Sequence, residues 1–169
     1  MSPTYSELSG QARETVGLVV ADVGQYVIGI PIQAVDHIIT ATETIAVPNP
    51  KPCIRSLFVY NNKLVPIIDL RQVLEEKSTG QEPYLLIVRE RDRVFAFPIG
   101  YVERVSQLPA SRVRFPRDIE IAIDKDFVRG YWDFSRRRHG YILNCSAVYD
   151  TIFPSTDDNN MPEGVEEQE

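Results

Sequence analysis

Two stretches of this chain lie over one another without a gap, and that repetition constrains the fold more than any figure of composition. QYVIGIPIQAVDHI, starting at Gln25, matches DRVFAFPIGYVERV, starting at Asp92, at a constant offset of 67. Val27 then meets Val94, Pro31 meets Pro98, Ile32 meets Ile99, Val35 meets Val102, and the acids Asp36 and Glu103 coincide. Further on, Ile54-Arg55-Ser56-Leu57-Phe58 meets Val128-Arg129-Gly130-Tyr131-Trp132 at an offset of 74, and Ile67-Ile68-Asp69-Leu70 meets Ile142-Leu143-Asn144-Cys145 one residue later. Matches kept in order over most of 169 residues describe a duplicated unit, hence two small lobes packed around a common core.

Each copy reads as β. Val16 to Val23 and Tyr26 to Pro31 are short Val/Ile-rich runs joined by Gly24-Gln25, a hairpin connection with glycine first. Leu57 to Tyr60 and Leu64 to Leu70 flank Asn61-Asn62-Lys63, where asparagine tolerates the left-handed backbone of a tight turn. In the second copy, Tyr84 to Arg89 and Val94 to Pro98 flank residues 90–93, and Gly130 to Phe134 and Tyr141 to Cys145 flank residues 135–140. Many short strands at this spacing predict a mainly β barrel or sandwich, not βαβ units. Short helical pieces are expected at Gln33 to Ile38, Leu70 to Glu75 and Ser146 to Ile152, the last capped by Ser146. The boundaries that follow are a flexible start over 1–15, a first lobe over 16–76, a linker over 77–83, a second lobe over 84–154 and an acidic tail over 155–169.

Charge separates these parts. The net charge of −6 equals the charge of the tail alone, whose six acids face no Lys or Arg. Residues 1–83 hold six basic and nine acidic side chains, a balance of −3, and residues 84–154 hold twelve and nine, a balance of +3. No apolar run approaches the roughly 20 residues a membrane helix needs, and the first residues lack a basic start followed by an apolar stretch, so a cytoplasmic protein is expected. Cys53 and Cys145 belong to no CxxC or Cys/His cluster and read as reduced, packed thiols.

The common phosphate, zinc, acyl-transfer and calcium motifs are absent, so no cofactor, metal or catalytic constellation is expected. His37 and His139 lie in different copies and read as surface or loop side chains. Asp69, ending the run Leu64-Val65-Pro66-Ile67-Ile68, is the one tempting carboxylate for a small hydrolase; its counterpart Asn144 can cap a helix but cannot act as an acid, so capping is the better reading. The arginines of the second copy, ending in Arg136-Arg137-Arg138, together with Phe115, Tyr131 and Trp132 offer the alternative of a nucleic-acid-binding barrel. Interspersed acids and the acidic tail weigh against a polyanion partner.

Val65-Pro66-Ile67-Ile68-Asp69-Leu70-Arg71 resembles the central Val-x-Pro-Ile-Val-Asp-Leu-Arg motif of the CheW-like family, coupling proteins of chemosensory arrays. Tyr26 to Ile38, Val94 to Val105 and Phe127-Val128-Arg129-Gly130-Tyr131 resemble further family segments in order and spacing, so the likeness runs over about residues 16 to 153. It implies two SH3-like five-stranded barrels sharing a core, with Pro66, Asp69, Leu70, Arg71 and Gly130 as structural motif residues. It implies a non-enzymatic adaptor bridging a chemoreceptor (methyl-accepting) tip, or an analogous sensor, to the regulatory domain of a CheA-type histidine kinase, in chemotaxis, type IV pilus motility or light-directed movement. By position, the receptor groove between barrels would involve Val35, His37, Asn61 and Tyr84. Asn61-Asn62 stands where the family usually has Arg-Gly, and His37 stands at a commonly acidic position, so a charge pair of the groove is replaced on both sides by neutral groups.

Overall fold

The computed structural model describes residues 14–77, 82–115 and 123–154; the proposed flexible ends at 1–13 and 155–169, and 78–81 of the proposed linker, lie outside the described residues. The described chain forms β1 (Thr15–Val23), β2 (Tyr26–Pro31), β3 (Val35–Thr40), β4 (Ile54–Tyr60), β5 (Lys63–Ile68) and a one-turn helix α1 (Leu70–Val73). It continues through β6 (Tyr84–Glu90), β7 (Arg93–Ile99), β8 (Val102–Pro109), β9 (Val128–Ser135), β10 (Arg138–Leu143) and α2 (Cys145–Ile152). Under the sequence repeat β1 to β5 and α1 correspond in order to β6 to β10 and α2.

The strands pair as two five-stranded sheets, in the orders β8-β1-β2-β10-β9 and β3-β6-β7-β5-β4. Each order becomes the other when the copies are interchanged. Each sheet therefore takes its opening hairpin from one half of the chain and its other three strands from the other half. The division at 77–83 separates the copies in sequence but not the sheets in space, a correction to lobes drawn at 16–76 and 84–154. The joints are parallel pairs: Ile142 lies opposite Gly29 and, at the equivalent point, Ile67 lies opposite Ala96. Each sheet also curls on itself, since the chain beyond β3 returns to β4 at the bridge Ile45–Leu57 and the chain beyond β8 returns to β9 at Arg114–Tyr131.

Side-chain alternation along the exchanged hairpins builds three cores. On β1, Leu18 and Val20 point into the first sheet's interior with Val27, Leu108, Trp132 and Ile142. The intervening Val19, Ala21 and Val23 join a core between the sheets with Leu86, Val88, Phe95, Phe97 and Ile99. Leu85 and Ile87 of β6 fill the second interior with Phe58, Val65 and Ile67. Strands buried on both faces read as unbroken apolar runs, which is why these hairpins were conspicuous in the sequence.

The turns follow local chemistry. Gly24 takes φ +60°, and Asn61 and Asn62 take φ 49° and 60°, both central residues left-handed as in a type I′ hairpin turn. Two expectations need correction and one strand went unread. The piece at Gln33 to Ile38 is a single 3₁₀ turn, Ile32–Ala34, followed by strand β3, and β8 is a strand that the apolar pattern did not reveal. Both lie at sheet edges, and their polar, exposed residues broke the apolar run; the β-branched Val35, Ile38, Ile39 and Thr40 were the available signal. The helix at the chain's end is capped by Asn144, whose side chain accepts from the Ala147 amide at 3.2 Å, and Ser146 lies inside it.

The two interiors are filled by complementary exchanges of volume. Where the second sheet has Phe58, Val65 and Ala96, the first has Trp132, Gly140 and Gly29. A Cβ on Gly29 would come within 2.9 Å of the Trp132 ring and 3.0 Å of Leu18, and one on Gly140 would overlap the indole. Gly140→Val is expected to cost about 2–3 kcal/mol in chemical denaturation, and adding Trp132→Phe to restore more than half of it. Simple additivity of the two losses in a double-mutant cycle would contradict this complementarity.

Candidate functional site

The open edge of the second sheet carries a polar cluster built from three strands. β3 runs antiparallel to β6, with His37 opposite Ile87 and Thr40 opposite Tyr84. The Tyr60 hydroxyl, at the end of β4, donates to the Asp36 carboxylate at 2.7 Å and lies 2.7 Å from His37 Nδ1. His37 Nδ1 also lies 3.1 Å from the same Asp36 oxygen, so the three groups share one hydrogen-bonding cluster. Arg89 of β6 approaches Asp36 at 3.4 Å. Hydrogen bonds from Tyr60 and then His37, with help from Arg89, hold the Asp36 carboxyl below its usual range, and the bond to Asp36 raises the Tyr60 phenol.

This cluster brings two of the four residues expected in a groove together: His37 is tied to Tyr60, and Asn61 follows Tyr60 in the hairpin turn. Val35 begins the same strand, half-buried, beside a cleft of about 280 Å³ bordered by Pro31, Gln33, Ala34, Arg89 and Arg129, residues drawn from both sheets. Tyr84 is four residues along β6 from Val88, the partner of Val35, about 13 Å at the rise of a strand, and is 39 % exposed. The four lie along one edge and do not converge on one pocket. Sequence reasoning missed Tyr60 and Arg89, although Tyr60 is adjacent to Asn61 and Asp36 to His37. At the repeat-related edge, the counterparts of His37 and Tyr60 are Arg104 and Phe134, with the guanidinium 4.8 Å above the ring. There Glu103 faces Asp22 in place of an arginine, and burial, then this acid neighbour, push its carboxyl up.

Asp69 closes a different unit. It is 2 % exposed, accepts from the amides of Arg71 at 3.1 Å and Gln72 at 3.4 Å, and meets Arg55 at 2.8 Å. Arg55 also reaches Glu82 at 2.8 Å, and Arg71 reaches Glu82 at 3.1 Å. Asp69 is thus a helix cap inside a network of ion pairs. Glu82, assigned by sequence to a linker, is a buried member of it. Pro66 sits on β5 and Leu70 is buried under α1; Gly130 lets the segment at Val113–Arg114 approach β9, since a Cβ would meet Val113 at 2.6 Å.

Burial pushes the Cys145 thiol up to about 12 and raises that of Cys53, so neither offers a thiolate at neutral pH. Among the described residues no group of three or more His, Cys, Asp or Glu could hold a metal ion, and no helix is long and apolar enough to cross a membrane. Several arginines of the second copy are committed to carboxylates, Arg93 to Asp150, Arg114 to Asp133 and Arg138 to Asp22, which divides the basic surface into local pairs.

A sheet pair of this construction, with the Pro-Ile-Ile-Asp-Leu-Arg strand ending at a capped turn, defines a class that comparison identifies. The model of the CheW-like domain matches residues 17–153, and the chain belongs to that family of scaffolding and adaptor domains of chemotaxis signalling. Its structure is similar to that of the scaffolding protein TtCheW from Thermoanaerobacter tengcongensis, with a TM-score of 0.70 at 18% identity, over 78% of this chain and 86% of that one. No curated protein sequence matches. CheW-like scaffold proteins are non-catalytic, in keeping with Asp69 as a cap.

Burial raises the Glu82 carboxyl, but the hydrogen bond from Arg55 and further charge contacts outweigh it and leave Glu82 below its usual range. A depressed carboxyl stabilises the fold above its unfolded pKa, and that contribution is lost as pH falls through the folded value. Stability measured by urea titration is therefore expected to fall as pH drops below about 4.5, and Glu82→Gln to flatten that slope. Arg55→Ala, which removes an ion-pair partner from both Asp69 and Glu82 and leaves them the Arg71 and Gln72 amides and the Arg71 guanidinium, is expected to cost about 1–3 kcal/mol at pH 7.

Proposed function

We propose that this chain is a non-catalytic adaptor that couples a chemoreceptor (methyl-accepting) signalling tip, or an analogous sensor, to the regulatory domain of a CheA-type histidine kinase. The pathway is chemotaxis or a related system such as type IV pilus motility or phototaxis, and the site of action is the cytoplasm. The observation that carries the reading is the open edge of β3, where Asp36, His37, Tyr60 and Arg89 form a preformed polar cluster on a strand that also exposes Ile38. Val35, His37, Asn61 and Tyr84 are the proposed receptor-facing residues. An ordered polar group beside exposed apolar side chains suits reversible protein contact, since little side-chain entropy remains to be lost on binding.

His37 and Asn61, standing where the family usually has an acid and an arginine, imply a sensor whose facing residues differ from those that meet an acid–arginine pair. Specificity of this kind arises from disfavouring the wrong partner as much as from favouring the right one. Co-purification with a receptor signalling tip and a CheA-type kinase, followed by calorimetry, tests the proposal. Tyr84→Ala is expected to weaken the sensor at least tenfold and to leave kinase affinity within threefold. His37→Glu with Asn61→Arg is expected to shift preference between sensors. Failure to bind any such kinase or sensor from the same genome would refute the reading.

A further inference from the structure

The repeat gives each end of one sheet's interior a counterpart on the other. In the first sheet Leu108 of β8 pairs with Val16 of β1, and Val113 follows the 3₁₀ turn Ala110–Arg112. All three apolar side chains pack with Leu18, Trp132 and Ile142 in that sheet's interior. Val113 lies directly against Gly130, where a Cβ would meet it at 2.6 Å. That end is closed by the chain itself.

At the same end of the second sheet, Ala41 and Pro83 stand where the first has Leu108 and Val16, and the Ala41 amide donates to the Pro83 carbonyl at 2.8 Å. The bridge Ile45–Leu57 corresponds to Arg114–Tyr131, so Thr44 takes the position of Val113 and Ser56 that of Gly130. The connection is two residues shorter, four steps from Ala41 to Ile45 against six from Leu108 to Arg114, and contains no 3₁₀ turn. Ala41, Thr44 and Pro83 are all exposed. Between them and the sheet lies a pocket of about 460 Å³, within the range of small-molecule sites. Ile67, Leu85 and Pro98 form its apolar wall, and Thr42, Thr44, Ser56, Arg55 and Glu82 its polar one. The counterparts of Arg55 and Glu82 are Arg129 and Thr15, both exposed, so the polar wall belongs to this end alone.

From this comparison we infer that the pocket binds a small uncharged molecule in which a branched aliphatic group is joined to an amide or hydroxyl head. The aliphatic group takes the place that Leu108 fills on the other sheet, against Ile67 and Leu85. The head exchanges hydrogen bonds with the hydroxyls of Thr42, Thr44 and Ser56, each able to donate and to accept. Charge decides the rest of the chemistry. Arg55 and Arg71 are balanced by Asp69 and Glu82, so an added ion would lose hydration there without meeting a net opposite charge. The pocket shares no residue with the Asp36–Tyr60 cluster, and the inference stands whether or not the chemosensory reading does.

The test is a titration of the ¹⁵N-labelled full chain with N-acetylleucine amide, N-acetylleucine and N-acetylglycine amide, followed by NMR. Shifts centred on the amides of Thr42, Thr44, Ser56 and Leu85 are expected with the first probe. The glycine amide, which lacks the branched group, should bind at least about tenfold more weakly, and the N-acetylleucine anion at least about threefold more weakly. Ala41→Leu, which copies Leu108 at an exposed position, should abolish binding and raise the melting temperature of the free protein. Thr44→Val, which keeps the shape and removes one hydroxyl, should weaken the leucine amide about threefold. The inference is overturned if those amides do not move, if the three probes bind alike, or if folded Ala41→Leu binds as the parent does. Tighter binding of acetyl-Gly-Leu-Gly-amide than of the single residue would make the occupant a protein segment and would overturn it as well.

Discussion

Everything in this structure depends on the parallel joint between the strands of one half and the hairpin of the other, Ile142 against Gly29 in the first sheet and Ile67 against Ala96 in the second. A hairpin isolated in water is marginal, and a three-stranded remainder would expose one flank of its interior. Exchange solves both problems at once: each half completes its partner's sheet. It also places β1, β2, β6 and β7 at the centre of the molecule, buried on both faces, so that the core between the sheets is continuous with neither sheet's interior alone. The edges that remain, β3 and β8 on one side and β4 and β9 on the other, are the strands left with an exposed face for binding.

Duplication supplies a common frame, and divergence within it supplies function. The interior tolerates divergence only as compensated volume: Trp132 with two glycines on one sheet, Phe58 with alanine and valine on the other. The surface has diverged more freely. His37 and Tyr60 correspond to Arg104 and Phe134, the Arg89–Asp36 pair corresponds to the acid pair Asp22 and Glu103, and the apolar Val59–Leu64 pair corresponds to Asp133 and His139. Two repeat-related surfaces thereby present different chemistry.

The sequence disclosed what is local and what is strongly apolar. Tight turns were legible because Gly24, Asn61 and Asn62 adopt backbone conformations that few other residues tolerate. The role of Asp69 was legible because its counterpart Asn144 shares the ability to cap but not the ability to ionise. The exchange of hairpins was not legible: a repeat establishes that two segments are equivalent and says nothing about which copy pairs with which. Edge strands β3 and β8 were missed because pairing on one side only permits polar residues such as Asp36, His37, Glu103 and Arg104. Glu82 lay in a stretch without apolar period, and only the fold brings it to Arg55 and Arg71. Within the candidate groove, the adjacency of His37 and Asn61 runs through Tyr60, a contact between strands that no spacing along the chain encodes.

The exchange has a direct physical test. The chain is cut within the connecting segment, and residues 1–80 and 81–169 are produced separately, then mixed, with folding followed by near-ultraviolet circular dichroism and thermal melting. The account predicts that each half alone lacks a cooperative transition and that the equimolar mixture acquires one, because either half holds only parts of two sheets. A cooperative melt in either half alone, unchanged by addition of the other, would show that the halves are independent lobes and contradict the exchange.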